Sequence, residues 1–255
     1  MRIALGIEYD GTGLHGWQRL RASPTVQAAV EAALSSVADR PIEVVCAGRT
    51  DAGVHARCQV VHFDTTVERS DRAWLLGGNS LLPDGIAVLW VRPVTAQFHA
   101  RYTAQARRYR YTLLNRPIRS ALDARYVAWE RVPLDIDAMQ RAALTLLGEH
   151  DFSAFRASAC QARSPVRDMR EITIQREGER VHVDMEANAF LHHMVRNIIG
   201  SLLLVGRGTE APAWVAEILA ARDRARAGPT APASGLVFVG PRYPTAFGLP
   251  AEVSL

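Results

Sequence analysis

The chain has 255 residues, 48% apolar and 22% charged, which suits a soluble domain with a sizeable core; no uncharged apolar run of about 18 residues is present to cross a membrane. Its net charge of +4 includes 30 basic residues, all of them arginine, so a lysine Schiff base and a Walker-type phosphate lysine are both excluded. Three cysteines, Cys46, Cys58 and Cys160, form no CxxC pair, and Glu8 interrupts the first apolar stretch, which excludes a disulfide framework and a signal peptide and points to the cytoplasm.

Residues 3–9 alternate, placing Ile3, Leu5, Ile7 and Tyr9 on one face of a first strand. Asp10, Gly11, Thr12 and Gly13 supply turn chemistry. A helix is predicted after Ser23 and Pro24, capped by Thr25, with Val26, Val30, Ala33, Leu34 and Val37 as its buried stripe. Strands over 42–46 and 58–63 follow, separated by a polar, glycine-bearing loop. A helix over 70–82, with Ser70 as cap, and an apolar strand over 86–94 complete the order β-α-β-β-α-β of a ferredoxin-like unit.

The order then recurs. Residues 108–114 place Tyr109, Tyr111 and Leu113 on one side of a strand, and a helix covers 136–147. Two strands, 172–176 and 180–187, flank a turn at 177–179. A long apolar helix is predicted over 190–205, a shorter one over 214–221, and a closing strand over 236–240. The expected architecture is therefore α+β, with two ferredoxin-like halves, 1–105 and 106–255. Their sheets would join into one antiparallel sheet with a central cleft, helices on one face and the other face free for a long ligand. The tail from Pro241 is expected to be irregular.

Three stretches carry candidate chemistry. In AGRTDAGVHA, residues 47–56, Arg49, Thr50 and Asp51 lie between glycines. A lone carboxylate in such a loop serves as nucleophile or general base, with a nearby guanidinium keeping it ionised; the same spacing also suits a hairpin loop in which Asp51 caps a turn. In HARYTAQARRYRYTLLN, residues 99–115, Arg101, Arg107, Arg108 and Arg110 interleave with Tyr102, Tyr109 and Tyr111. Arginines grip phosphate and tyrosines stack on unpaired bases, although a strand burying its tyrosines behind a solvated arginine edge fits the pattern equally. In NAFLHHMVRNIIGSLL, residues 188–203, Arg196 interrupts an apolar helix. Either it pairs with an anion, Asp51 or a phosphate, or its long stem reaches water.

His192 and His193 show no metal-ligand spacing, because adjacent helical positions point about 100° apart, and no metal site is expected. No GxSxG elbow is present. Two further classes fit the composition. A ferredoxin-like RNA-binding module would bind RNA without altering it. A metal-dependent nuclease would need several acids around a metal, and the Asp51 loop supplies one.

Five segments, YDGTGLHGWQ (9–18), CAGRTDAGVHA (46–56), FHARYTAQARRYRYTLLN (98–115), LLGEHDFSAFR (146–156) and NAFLHHMVRNIIGSLL (188–203), resemble in order those of the tRNA pseudouridine synthase A family. The resemblance implies the two-halved fold above and isomerisation of uridine to pseudouridine at positions 38 to 40 of tRNA. It also implies a homodimer holding tRNA, with no metal and no organic cofactor. By position it makes Asp51 the catalytic aspartate and Arg49 the residue linked to flipping the nucleotide. Tyr109 becomes the ring that stacks on the target base, Arg196 the basic partner of the aspartate, and Leu236 an apolar contact to the base. Asp51 would attack the sugar, attack the base, or remove a sugar proton; the residues alone leave all three open.

Overall fold

In a computed structural model describing residues 1–255, the chain begins with β1 (Arg2–Tyr9), α1 (Val26–Ala38), β2 (Val45–Cys46), β3 (His55–Asp64), α2 (Asp71–Leu81) and β4 (Ile86–Val94). β1 pairs antiparallel with β3 on one side and β4 on the other, and β2 pairs antiparallel with β3. The predicted caps form: the Thr25 hydroxyl accepts from the Ala28 N–H and the Ser70 hydroxyl from the Ala73 N–H. Each satisfies a donor that the first helical turn leaves without a partner.

The buried stripe of α1 is wider than its apolar pattern, because Gln27 and Glu31 are buried beside Val30 and Leu34. Burying them is tolerable because they are hydrogen-bonded to each other and Glu31 is also ion-paired. The Gln27 amide donates to Glu31 at 2.9 Å, and Glu31 accepts from the Val44 N–H and meets Arg19, both at 3.1 Å.

The next elements are β5 (Ala106–Asn115), β6 (Ala128–Glu130), α3 (Ile136–Leu144), β7 (Gly148–Asp151), β8 (Val166–Glu177), β9 (Arg180–Ala187), α4 (Met194–Gly206), α5 (Trp214–Ala221) and β10 (Leu236–Arg242). The chain divides into two units, Met1–Arg107 with Val237–Leu255, and Arg108–Leu236. In the second unit the strand order is β5-β9-β8-β7, with β6 parallel to β5. The protein is thus mixed α+β, with mostly antiparallel strands and five α-helices.

The expected strand over 172–176 and the helix expected from 190 are both corrected. The strand over 172–176 is the end of a much longer β8, whose edge pairing with β7 carries no alternating pattern to announce it. The helix expected from 190 starts at Met194, because His193 takes a left-handed backbone (φ 63°) that no helical residue adopts. The His192 carbonyl accepts from the Ala157 N–H, which ties the preceding residues to a loop outside the helix.

The tail is not loose. Two short 3-10 turns follow β10, and Tyr243 is fully buried. Its hydroxyl donates to the Ala100 carbonyl at 2.6 Å, and Tyr243, Leu249 and Val253 share a cluster with Ala4, Val60, Trp90 and Phe98. In this unit the sheet face expected to lie free is therefore covered around Ala4 and Val60 by the last residues of the chain. That cover explains why β1 is buried on both faces along residues 3–7.

Candidate functional site

In the first unit the loop between β2 and β3 is clamped by main-chain bonds from the turn that follows β1. The Trp17 N–H donates to the Thr50 carbonyl at 3.0 Å, and the Gly53 N–H to the Leu14 carbonyl at 3.2 Å. Gly16 makes this approach possible. Its φ is +85°, and a Cβ there would lie 2.7 Å from the Thr50 carbonyl oxygen and 3.0 Å from the Asp51 carbonyl carbon. The Val54 N–H closes the turn on the Asp51 carbonyl at 3.2 Å.

Side chains of the sheet hold the same loop from below. The Tyr9 hydroxyl shares a buried 2.7 Å hydrogen bond with the Thr50 hydroxyl. Burial of Tyr9 pushes its phenol well above the usual range, so it stays neutral and able to donate. Gln59 accepts from the Gly48 N–H and donates to the Gly48 carbonyl. The result is a frame fixed at residues 48, 50, 51 and 53. It presents Asp51 half-buried and Arg49 exposed.

Arg107 braces this frame. It donates to the carbonyl of Ala47 at 3.2 Å, to that of Ala104 at 2.9 Å, and to that of Arg101. Three carbonyl partners make it a cross-tie between the 99–104 turn and the start of the loop. Arg101 itself is exposed beside the Tyr102 ring. Thr50 belongs to the loop motif read from the sequence, whereas Gln59 and Gly16 do not. Of those two, Gln59 alone left a signal there, a polar residue inside the apolar run of β3.

In the second unit β5 alternates as predicted. Tyr109, Tyr111 and Leu113 are buried, while Arg108 is half-buried and Arg110 exposed. Tyr109 keeps 9% of its surface open and meets Phe190 edge-on, with centroids 5.0 Å apart at 81°. Its ring plane is thereby fixed by an aromatic neighbour. Arg110 makes a two-pronged pair with Asp184 of β9, at 2.7 and 2.9 Å.

Arg196 sits in the first turn of α4 and is half-buried. Its Nε donates to the Ala231 carbonyl at 2.8 Å, and its own carbonyl accepts from the Ala231 N–H at 3.1 Å. Beside it, buried Asn197 ties three segments: its amide donates to the Phe155 carbonyl, and its oxygen accepts from Arg224 and Thr230. Leu236 is buried at the start of β10, its N–H bonded to the Ala233 carbonyl. The unit thus holds Tyr109, Arg196 and Leu236 each on a defined backbone.

His192 and His193 lie before α4 rather than on it, and their rings pack 4.1 Å apart at 43°. The helical-spacing argument against a metal at these two residues therefore does not apply to them.

A family model described as tRNA pseudouridine synthase matches residues 6–103 and 142–244. Curated proteins named tRNA pseudouridine synthase A from Xanthomonas oryzae pv. oryzae and Xanthomonas euvesicatoria pv. vesicatoria are each 60% identical to the chain over 256 residues, covering 100% of both partners. The protein of that name from Stenotrophomonas maltophilia is 59% identical over the same span.

Proposed function

This chain belongs to the tRNA pseudouridine synthase A family, and from that premise we infer that it converts uridine to pseudouridine at positions 38 to 40 of tRNA, with Asp51 as catalytic carboxylate. The observation that carries this reading is identity of 60% along the whole length of chains named tRNA pseudouridine synthase A. The rigid frame around Arg49, Thr50 and Asp51 supports it, because a catalytic group has to be held close to its productive geometry.

The target uridine is stacked in the anticodon arm, so it has to leave the stack, at a cost of a few kcal/mol. In this reading Arg49 occupies the vacated space, and Tyr109 and Leu236 hold the extruded base between ring and aliphatic surface. Arg196 keeps the carboxylate of Asp51 ionised and aimed. The bond from the sugar to N1 of uracil breaks, the base rotates, and a bond from the same sugar carbon to C5 forms. The hydrogen lost from C5 is balanced by one gained at N1, so the product is an isomer and no cosubstrate is consumed.

The same reading takes the two units as ferredoxin-like halves with joined sheets around a cleft; the strand order β4-β1-β3-β2 within the first unit supports it. It takes the enzyme as a cytoplasmic homodimer whose partner is tRNA, working without metal or organic cofactor. The direct test is to map pseudouridine in unmodified tRNA after incubation with the protein. Product confined to positions 38 to 40 is expected; product elsewhere, or none, overturns the assignment.

Tyr109 gives a sharper expectation. Tyr109→Phe keeps the ring and should hold kcat/KM within about twofold, whereas Tyr109→Leu, which loses the ring, should lower it about tenfold or more, since stacking on one base contributes roughly 1–3 kcal/mol. Steady-state kinetics on folded variants decide this, and equal values for Phe and Leu would remove the stacking role.

A further inference from the structure

Tyr102 is 76% exposed, unusual for a tyrosine so firmly placed. Its ring stacks on His99, with centroids 4.3 Å apart at 27°, and the Arg101 guanidinium lies 5.7 Å from the Tyr102 ring centroid. Beneath, His99 leans on buried His62, with centroids 4.7 Å apart. Burial first, then the neighbouring His99 and Arg2, pushes the His62 imidazole down to about 4, so this support is neutral near neutral pH.

The turn that presents this ring is fixed from several sides. The Nδ1 atom of His99 accepts from the Arg101 and Tyr102 N–H groups, at 3.2 and 3.1 Å. The Thr103 hydroxyl donates to the His99 carbonyl at 2.8 Å. Phe98 and Ala100 are fully buried, and Ala100 is gripped at both ends: its N–H donates to His62 and its carbonyl accepts from Tyr243. Arg107 then links the Arg101 carbonyl to Ala47, at the start of the Asp51 loop. An exposed aromatic on a loose loop is ordinary surface. Here the ring has its ordering already supplied by the fold, which lowers the entropic cost of contact.

We propose that Tyr102, backed by His99 and flanked by Arg101, is a second stacking platform, which takes an unpaired tRNA base other than the one being isomerised. A guanidinium beside an open ring matches one nucleotide, phosphate on the first and base on the second. The proposal rests on tRNA being the substrate. It adds a contact whose work is binding rather than chemistry, and the Arg107 tie hitches that contact to the catalytic loop.

The test compares Tyr102→Phe and Tyr102→Leu with the wild type. Affinity for an unmodified tRNA transcript is measured at one salt concentration, because phosphate contacts make affinity salt-dependent. The Leu variant should bind about tenfold more weakly and the Phe variant within about twofold of wild type. Single-turnover rates at saturating enzyme should stay within about twofold for both. Equal binding by the Leu and Phe variants overturns the platform, as does equal weakening of both, or a change in molecular mass by light scattering in the Leu variant. If the wild type itself forms no pseudouridine, the functional reading fails. An active wild type with a tightly binding Leu variant removes the platform alone.

Discussion

Asp51→Asn protein should fold, hold tRNA within about threefold of the wild-type affinity, and form no detectable pseudouridine, a loss of at least about 10,000-fold in single-turnover rate. The change is nearly isosteric, and it leaves in place the bond that closes the turn, from the Val54 N–H to the Asp51 main-chain carbonyl. Affinity for tRNA rests mostly on phosphate contacts spread over many residues, so one half-buried site adds little to it. An amide neither attacks as a nucleophile nor takes up a proton at neutral pH, whichever of the three routes operates. Single-turnover assays with excess enzyme, paired with binding at matched salt, separate the two quantities. Normal isomerisation by the Asn variant would show that another group is the catalyst.

Gly16→Ala should act on the same chemistry from a distance. The methyl group would press on the carbonyls of Thr50 and Asp51, and both are main-chain atoms that yield only if the loop moves. The expected stability cost is about 2 kcal/mol, from overpacking together with a left-handed backbone. A shift of the loop by a fraction of an ångström to 1 Å should lower the rate about 100-fold. Gly13→Ala is the control. Its φ is also positive, at +76°, yet nothing lies within 4 Å of the added methyl. It should share the backbone strain and keep the rate. Urea unfolding and single-turnover kinetics on both variants isolate the effect of the clash, and equal rates for the two would show that the loop is not positioned through Gly16.

What was legible in the sequence follows the range of the interactions involved. Helix caps at Thr25 and Ser70 are local, and alternation along β5 is local, so both were readable from spacing. The short strands β6 and β7 were missed, because three or four edge residues have no room to alternate. The late start of α4 depends on a left-handed backbone at His193, which an apolar run does not announce. The tail was misjudged for another reason. Its prolines and small residues look like loose chain, and only partners some 140 to 250 positions earlier, such as Ala100 and Ala4, show that Tyr243 and Val253 are core. At the candidate site the loop motif itself was visible. The use of Arg107 as a brace was not, because its carbonyl partner at Ala47 lies 60 residues away.

That tail also sets an order of events on the ribosome. The first unit is built from residues 1–107 and 237–255, whereas the second needs only 108–236. Nascent chains fold as their domains emerge, so residues 1–107 have to wait for β10 and Tyr243 until the whole of the second unit has been synthesised. Until then the Ala4 and Val60 side of its sheet lacks the cover of Tyr243, Leu249 and Val253, and a chaperone that shields apolar surface would find its client there. The loop bearing the carboxylate therefore belongs to the unit completed after the other, although that loop is made before it.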